Sequence, residues 1–586
     1  MRRTRLSRRV AASVAAVSMA ALTATGTVLP ADAADKGKAP AKKEKTVEVQ
    51  LLALNDFHGN LEAPGGSSGR ITVDADGHTV DAGGAAYLAT ALEELAADQR
   101  KQNTITVAAG DLIGASPLLS AAFHDEPAIE SLGLAGLDYA SVGNHEFDEG
   151  AEELLRIQNG GCHPVDGCAD GTPYAGADFQ YLSANAFLTE TGEPLLDPYA
   201  IHNVQGVKIG FIGMTLEGTK DIVSQEGVAG LEFADEVETA NRYAAELQAQ
   251  GVEAIVVLLH EGGVQTGASK WDVNACDGIS GPIVDIADGM SDAIDVVVSG
   301  HTHQAYNCEI DGKLVTSASS FGRLVTDIDM TIDKRTGEVI TAGAENVIVT
   351  RDKVEDQDQL DLIAHYREAL GPIANQVVGH ASEDIVRMQE DLFGDFKGES
   401  PLGNLIADAQ LWATDDEYDA VAAFMNPGGV RADLGAGEIT YEEAFTIQPF
   451  TNNLVTMDLT GEQLYCMLEQ QFVTGKILQP SSTVSYAVDP AGTVASADDP
   501  CGGSVVVDGS LWLGGTQVVD GETYRVTVNN FLAGGGDGFS VLTGGTNAVT
   551  GPIDLDAFTA YLTANDPVSA PATDRISVGV AAEDAA

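Results

Sequence analysis

A two-part α/β fold is predicted by three observations. Short apolar runs alternate with helix-period segments from Val47 to Ser299, a charged helical stretch runs from Asp358 to Leu370, and a second block beyond it mixes helical and strand-like runs. At 586 residues the chain is also too long for one ordinary core, so at least two domains are expected.

Val47 to Leu54, Thr104 to Ala109, Asp138 to Val142, Lys208 to Gly213, Ala254 to Leu259 and Ala293 to Ser299 read as buried strands, each a short and nearly continuous apolar run. Between them, Ala85 to Ala97 and Glu236 to Gln250 carry leucines, alanines and charges at helical spacing. This alternation gives a layered α/β domain over residues 47–350. The helical connector occupies 351–375, and Gly371-Pro372 is expected to interrupt it. A second, α+β domain covers 376–580, with a helix at Pro401 to Thr414 and strands at Val455 to Leu459 and Tyr524 to Asn529.

The N-terminus reads as an export signal over residues 1–33. Arg2, Arg3, Arg5, Arg8 and Arg9 form a basic region, Val10 to Val28 is apolar and small, and Ala31-Asp32-Ala33 supplies a cleavage site. A Lys-rich tether follows at 34–46. No later segment is long and apolar enough to span a bilayer, so a secreted or cell-envelope protein is expected. Export permits disulfides. Pairing of sequence neighbours, Cys162 with Cys168, Cys276 with Cys308 and Cys466 with Cys501, is the working expectation among the many arrangements that six cysteines allow.

A formal net charge of −57 argues against binding of a nucleic-acid polymer through a broad basic surface. An anionic small molecule would need local attraction, from metal ions or from a few placed cations.

Polar residues recur just past the apolar strands. Asp56 and His58 follow the first, Asp111 the second, Asn144 and His145 the third; His260 follows Ile255 to Leu259, and His301 and His303 follow Val296 to Gly300. Ligands of α/β sheets bind beyond the carboxyl ends of strands. Carboxylate, imidazole and amide oxygen gathered there, without cysteine, suit Zn, Mn, Fe or Co better than Ca or Mg. A lone histidine at a strand end is an ordinary surface residue, and His78, His124, His202, His365 and His380 are read so, with His163 left structural. Five of the eleven histidines in such positions, with Asp or Asn between them, are harder to obtain by sheet capping alone.

The runs Asn55-Asp56-Phe57-His58-Gly59, Gly110-Asp111, Gly143-Asn144-His145-Glu146-Phe147-Asp148, His260-Glu261 and Gly300-His301-Thr302-His303 resemble the ordered motifs of calcineurin-like metallophosphatases. More narrowly they resemble the 5′-nucleotidase, UDP-sugar hydrolase and 2′,3′-cyclic-nucleotide phosphodiesterase family. The resemblance implies a four-layer β-sandwich flanked by helices for the first domain. It implies two divalent metals, with Asp56, His58 and His303 on one, Asn144, His260 and His301 on the other, and Asp111 bridging. His145 would then act on the substrate, oriented by Asp148.

In the second domain, Asn426-Pro427-Gly428-Gly429-Val430-Arg431, Gln448-Pro449-Phe450-Thr451-Asn452 and Asn530-Phe531-Leu532-Ala533-Gly534-Gly535-Gly536-Asp537 resemble the same family's nucleotide-binding segments. By that analogy Phe450 and Phe531 sandwich the base, Asp537 meets the ribose, Arg431 takes a phosphate oxygen, and Asn426 and Asn452 orient the ligand. Relatives carry arginines shortly before the segment matching Pro401 to Leu405, where this chain has only Lys397. The resemblance makes hydrolysis of 5′-nucleotides the leading expectation, and the departure before Pro401 leaves narrow specificity for one nucleotide unsupported. Cleavage of 2′,3′-cyclic nucleotides, of 3′-nucleotides or of UDP-sugars stands beside it, and a non-catalytic nucleotide-binding protein is the alternative of a different class.

Overall fold

The computed structural model describes residues 45–98, 103–223, 227–394, 396–450, 452–496 and 499–579. The expected export signal and nearly all of the tether lie outside them. The first strand begins at Thr46, one residue before the expected domain start.

Twelve strands build the two main sheets of the first domain: β1 (Thr46–Leu54), β2 (Thr104–Ala109), β3 (Tyr139–Ser141), β4 (Gln180–Leu182), β5 (Tyr199–Val204), β6 (Val207–Thr215), β7 (Ala254–His260), β8 (Val296–Ser299), β9 (Ala305–Ile310), β10 (Lys313–Ala318), β11 (Leu324–Asp333) and β12 (Val339–Ile348). They form two six-stranded sheets, ordered β12-β11-β1-β2-β3-β4 and β9-β10-β8-β7-β6-β5. Strands β1, β2, β3 and β4 run parallel in the first sheet. So do β6, β7, β8 and β10 in the second. Parallel strands covered on both faces are apolar throughout, which is why β7 reads Ala-Ile-Val-Val-Leu-Leu and is buried from end to end.

The sheets pack face to face over Val49, Leu51, Val107, Phe211, Val256, Val298 and Met330. Two helices cover the outer face of the second sheet. Glu236–Ala249 contributes Tyr243, Ala244 and Leu247, and Pro282–Gly289 contributes Ile283 and Ala287. Helices Ala85–Asp98 and Glu126–Leu134 cover the first sheet. The result is helix, sheet, sheet, helix.

The connector is one helix, Gln357–Ala374, with Pro372 inside it. The expected break at Gly371-Pro372 is thus absent. Proline in the last turn removes only one backbone donor, and packing of Tyr366, Leu370 and Ala374 holds the turn in place. Tyr366 stacks edge-on against Phe123 at 4.9 Å and donates to Glu130 at 3.1 Å. Arg367 bridges Glu62 of the first domain to Glu442 of the second. One continuous apolar cluster runs from Leu88 and Leu132 through Tyr366 to Leu402, Phe445 and Phe558.

The second domain centres on a five-stranded sheet ordered Gln479–Pro480, Ala422–Met425, Thr523–Asn529, Asn453–Thr460 and Thr546–Ile553. Helices Pro401–Trp412 and Gly461–Thr474 are capped by Ser400 and Thr460. All three neighbouring cysteine pairs are disulfide-bonded. No helix among the described residues is long and apolar enough to cross a membrane.

Candidate metal centre and substrate pocket

Six of the seven expected donors lie on turns that leave the carboxyl ends of β1, β2, β3 and β8, and the seventh, His260, is the last residue of β7. Five of them hold left-handed backbone: Asp56 at φ 51°, His58 at 47°, Asp111 at 49°, His301 at 68° and His303 at 55°. Each such residue costs about 1–3 kcal/mol, and clustering of this kind marks sites where side-chain aim outweighs local comfort. Two glycines let the turns meet. A Cβ at Gly143 would stand 2.2 Å from Asp111 Oδ1, and one at Gly110 would stand 2.6 Å from His260 Nδ1.

The donors fall into two groups sharing one carboxylate. His303 Nε2 is 3.1 Å from His58 Nε2 and 3.3 Å from Asp56 Oδ1. In the other group, Asn144 Oδ1 is 3.2 Å from His260 Nε2 and 3.0 Å from His301 Nδ1. Asp111 Oδ2 reaches both, at 3.7 Å from His58 Nε2 and 2.9 Å from His260 Nε2.

Whether these residues fit cations can be judged from their protons. His58 Nδ1 faces the Gly114 carbonyl at 2.8 Å, and His260 Nδ1 faces the Ala109 carbonyl at 2.8 Å. Donation to those carbonyls leaves the neutral His58 ring with an Nε2 lone pair pointing at other acceptors, and would leave His260 the same once a cation displaces its second proton. Burial pushes His58 down to about 3 and His301 down to about 4. Burial acts the same way on His260, but Asp111 and Asp56 outweigh it and raise that imidazole to about 9. Lone pairs of imidazole, carboxylate and amide converging in a buried space call for positive charge between them, and the N/O donor set fits divalent metals.

His145 and Asp148 stand on the open side of the cluster. His145 Nδ1 is 2.6 Å from Asp148 Oδ2, and the His145 N–H donates to Asp111 Oδ1 at 3.0 Å. Burial would lower the His145 pKa, but Asp148 and Asp111 dominate and hold it up at about 10.

Glu146 was not singled out by the sequence. It is 3% exposed and accepts the backbone N–H groups of Asp111 at 3.0 Å, Leu112 at 2.8 Å and Gly143 at 2.5 Å. It thereby ties together the turns after β2 and β3. Its place inside the Asn144 to Asp148 run was the only available signal.

In the second domain the structure gathers some of the expected pocket residues and diverts another. Asn426 Nδ2 donates to Asp537 Oδ2 at 3.1 Å and is itself held by Asn529 at 2.9 Å. Arg431 lies over the Phe450 ring at 5.6 Å, and the Phe531 ring packs on Gly536. Asn452 turns to Asp554 Oδ2 at 3.4 Å. Two cations absent from the sequence reading join this region. Lys476 pairs with Asp537, and Arg387 is close enough to Arg431 to add to burial in lowering that guanidinium's pKa. Neither is near the motifs in sequence, so only the fold brings them there. Lys397 instead pairs with Asp391.

Comparison with known proteins agrees with this architecture. Residues 49–305 match the calcineurin-like phosphoesterase family and residues 377–544 match the 5′-nucleotidase C-terminal domain. Endonuclease YhcR of Bacillus subtilis is 35% identical over 94% of this chain, which spans only 43% of that protein's length. Cell wall protein Lmo0130 of Listeria monocytogenes is 31% identical over 88% of this chain and 67% of its own. A 5′-nucleotidase precursor from Thermus thermophilus superposes with a TM-score of 0.66 at 28% identity, covering 91% of this chain and 99% of that one. The two matched domains, in this order along one chain, lead to one conclusion: this protein belongs to the 5′-nucleotidase family of calcineurin-like, metal-dependent phosphoric ester hydrolases.

Proposed function

We propose that the chain hydrolyses nucleotide phosphate esters, with 5′-nucleotides as the first substrate class, and that it does so outside the cytoplasm. The observation that carries this reading is the shared position of Asp111 between two donor groups, with His145 on their open side. Asp56, His58 and His303 would hold one divalent cation, Asn144, His260 and His301 the other, and Asp111 both. Two such cations supply Lewis-acid polarisation of the phosphoryl group and activation of a water.

The remaining roles belong to the chain's own side chains. Asp148 fixes the His145 ring through Nδ1, which leaves Nε2 for the substrate. From there His145 can stabilise charge developing on the phosphoryl oxygens or give a proton to the leaving alkoxide. In the second domain, stacking on Phe450 and Phe531 tolerates different bases, and Asp537 offers acceptors to ribose hydroxyls. Arg431, with Arg387 beside it, offers a guanidinium fork to phosphate. Because metals and base are held by different domains, the connector at 357–374 is the natural hinge for closure.

Cleavage of 2′,3′-cyclic nucleotides or UDP-sugars would use the same centre, and the missing arginines before Pro401 keep these close. The nuclease name of one relative raises polymers as well, but a charge of −57 repels a polyanion. Three disulfides fit an oxidising compartment.

Release of phosphate or nucleoside from AMP, ATP, 3′-AMP, 2′,3′-cyclic AMP and UDP-glucose, with Mn²⁺ or Zn²⁺ supplied, tests the reading. AMP should be cleaved fastest, and Asp111→Asn and His145→Ala should each lower turnover by about 10²-fold or more. Wild-type rates in both variants, or no hydrolysis of any ester, would overturn it.

A further inference from the structure

A buried carboxylate outside the donor cluster reaches both parts of the centre through one glycine. Asp125 is 7% exposed, and its backbone carbonyl opens the helix Glu126–Leu134 by accepting from Ala128 and Ile129. An aspartate in that position ordinarily caps the helix with its side chain. Here the side chain makes no cap bond and the backbone takes a left-handed φ of 58°. Its Oδ2 instead accepts the Gly114 N–H at 3.0 Å.

Gly114 belongs to the turn after β2 and stands between two parts of the site. Its carbonyl faces His58 Nδ1 at 2.8 Å, with the Ser116 hydroxyl more loosely at 3.4 Å. Its Cα lies against the dyad, since a Cβ there would stand 2.6 Å from His145 Cβ and 2.8 Å from Asp148 Oδ2. Gly114 has a φ of 75° and Ala115 one of 47°, so two left-handed residues follow one another. Among the described residues, no backbone–backbone hydrogen bond holds residues 113–116. The Asp125 carboxylate therefore does for this turn what a ladder does for a strand.

We propose that Asp125 is a positioning residue of the metal centre. By holding the Gly114 N–H, it keeps the Gly114 carbonyl on His58 and the Gly114 Cα against His145 and Asp148. The inference rests on reading His58 as a metal donor and His145 as the group that meets the substrate. Donation from Nδ1 decides which nitrogen of His58 keeps a lone pair, and Nε2 is the one on the side of His303 and Asp111. A slack Gly114 would let that ring turn and would loosen the seat of the dyad at the same time. What this asks of Asp125 is an acceptor at one point, which an amide oxygen also supplies.

The test compares Asp125→Ala, Asp125→Ser and Asp125→Asn in the full mature chain. Mn²⁺ affinity is read by equilibrium dialysis of chelator-stripped protein, and kcat and KM on AMP at saturating Mn²⁺. Ala removes the acceptor, Ser keeps a capping hydroxyl but ends short of Gly114, and Asn keeps a carbonyl oxygen. Ala and Ser should each weaken one Mn²⁺ by about tenfold or more and lower kcat by about 10–10²-fold, with KM within about threefold of wild type. Asn should stay within about threefold of wild type in affinity and kcat. Asp235→Ala removes the side-chain cap of helix Glu236–Ala249, where Asp235 accepts the Glu238 N–H at 2.7 Å, and shows what lost stability alone does. It should leave both readings unchanged. If Asp125→Ala does not fold, Asp125→Ser carries the same expectation. Wild-type affinity and kcat in the folded variants would overturn the proposal, and so would equal losses in Asn and Ser. A wild-type chain that binds no Mn²⁺ and cleaves no ester would instead overturn the reading of the centre, and this inference with it.

Discussion

Asp111 Oδ2 stands 2.9 Å from Nε2 of His260 and 3.7 Å from Nε2 of His58, so one carboxylate faces both halves of the donor cluster. Its other oxygen accepts the His145 N–H at 3.0 Å. An amide at this position keeps a carbonyl acceptor for that N–H but loses the charge that two cations would share. Asp111→Asn should therefore fold normally, lose at least one tightly held metal, and fall in kcat by about 10³-fold, since a shared cation supplies several kcal/mol. Metal content and single-turnover rates read the two effects separately. Full metal content with full activity would remove Asp111 from the bridging role.

The His145–Asp148 contact at 2.6 Å makes a sharper prediction, because Asp148 holds the histidine and is not itself one of the seven donors. Asp148→Asn should lower kcat by about 10–10²-fold with KM and metal content nearly unchanged, as for other residues that orient a working histidine. His145→Ala should cost more, about 10²–10⁴-fold. Loss of metal from Asp148→Asn would mean that it supports the cluster and not the histidine.

Much of this centre was legible because buried parallel strands are apolar throughout and end abruptly. β7 stands out as an unbroken run and β2 as one broken only by Thr104 and Thr106, so His260 and Asp111 mark their carboxyl ends. The helix through Pro372 was not legible, since its last turn is held by tertiary packing of Tyr366 and Leu370. Nor was the role of Glu146, whose three backbone partners come from two different turns. The left-handed backbone at Asp56, His58 and His303 could not be read either, because nothing in an Asp or a His demands it. Distance in sequence hid Arg387 and Lys476 from Arg431 and Asp537.

The pocket of the second domain predicts a division between affinity and chemistry. Phe531 rests on Gly536, and Arg431 lies over Phe450 at 5.6 Å. Phe531→Ala should raise KM for purine and pyrimidine nucleotides alike by about 5–150-fold, the worth of one stacking contact. Turnover of a phosphate ester without a base should be unchanged. Arg431→Ala should instead raise KM for both kinds of substrate. Equal loss on base-free esters in Phe531→Ala would show that the ring supports the fold and not the base.

Asp295 gives a prediction on stability, far from any metal donor. It precedes β8, and its carboxylate accepts the Ile255 N–H at 3.0 Å. Burial, opposed only by that bond, pushes its pKa up from 3.8 to about 7. The folded state then binds more protons than the unfolded state between those values. Its contribution is fully present below pH 3.8 and is lost as pH rises through 7. Asn keeps an acceptor for Ile255 and cannot ionise, so Asp295→Asn should stabilise the protein at pH 8 relative to wild type, by about 1–3 kcal/mol. At pH 4 the gain should vanish, because the wild-type carboxyl is then largely neutral in the fold. Denaturant midpoints of both proteins at the two pH values measure this. A gain of the same size at both would mean that the charge of Asp295 is not what limits stability there.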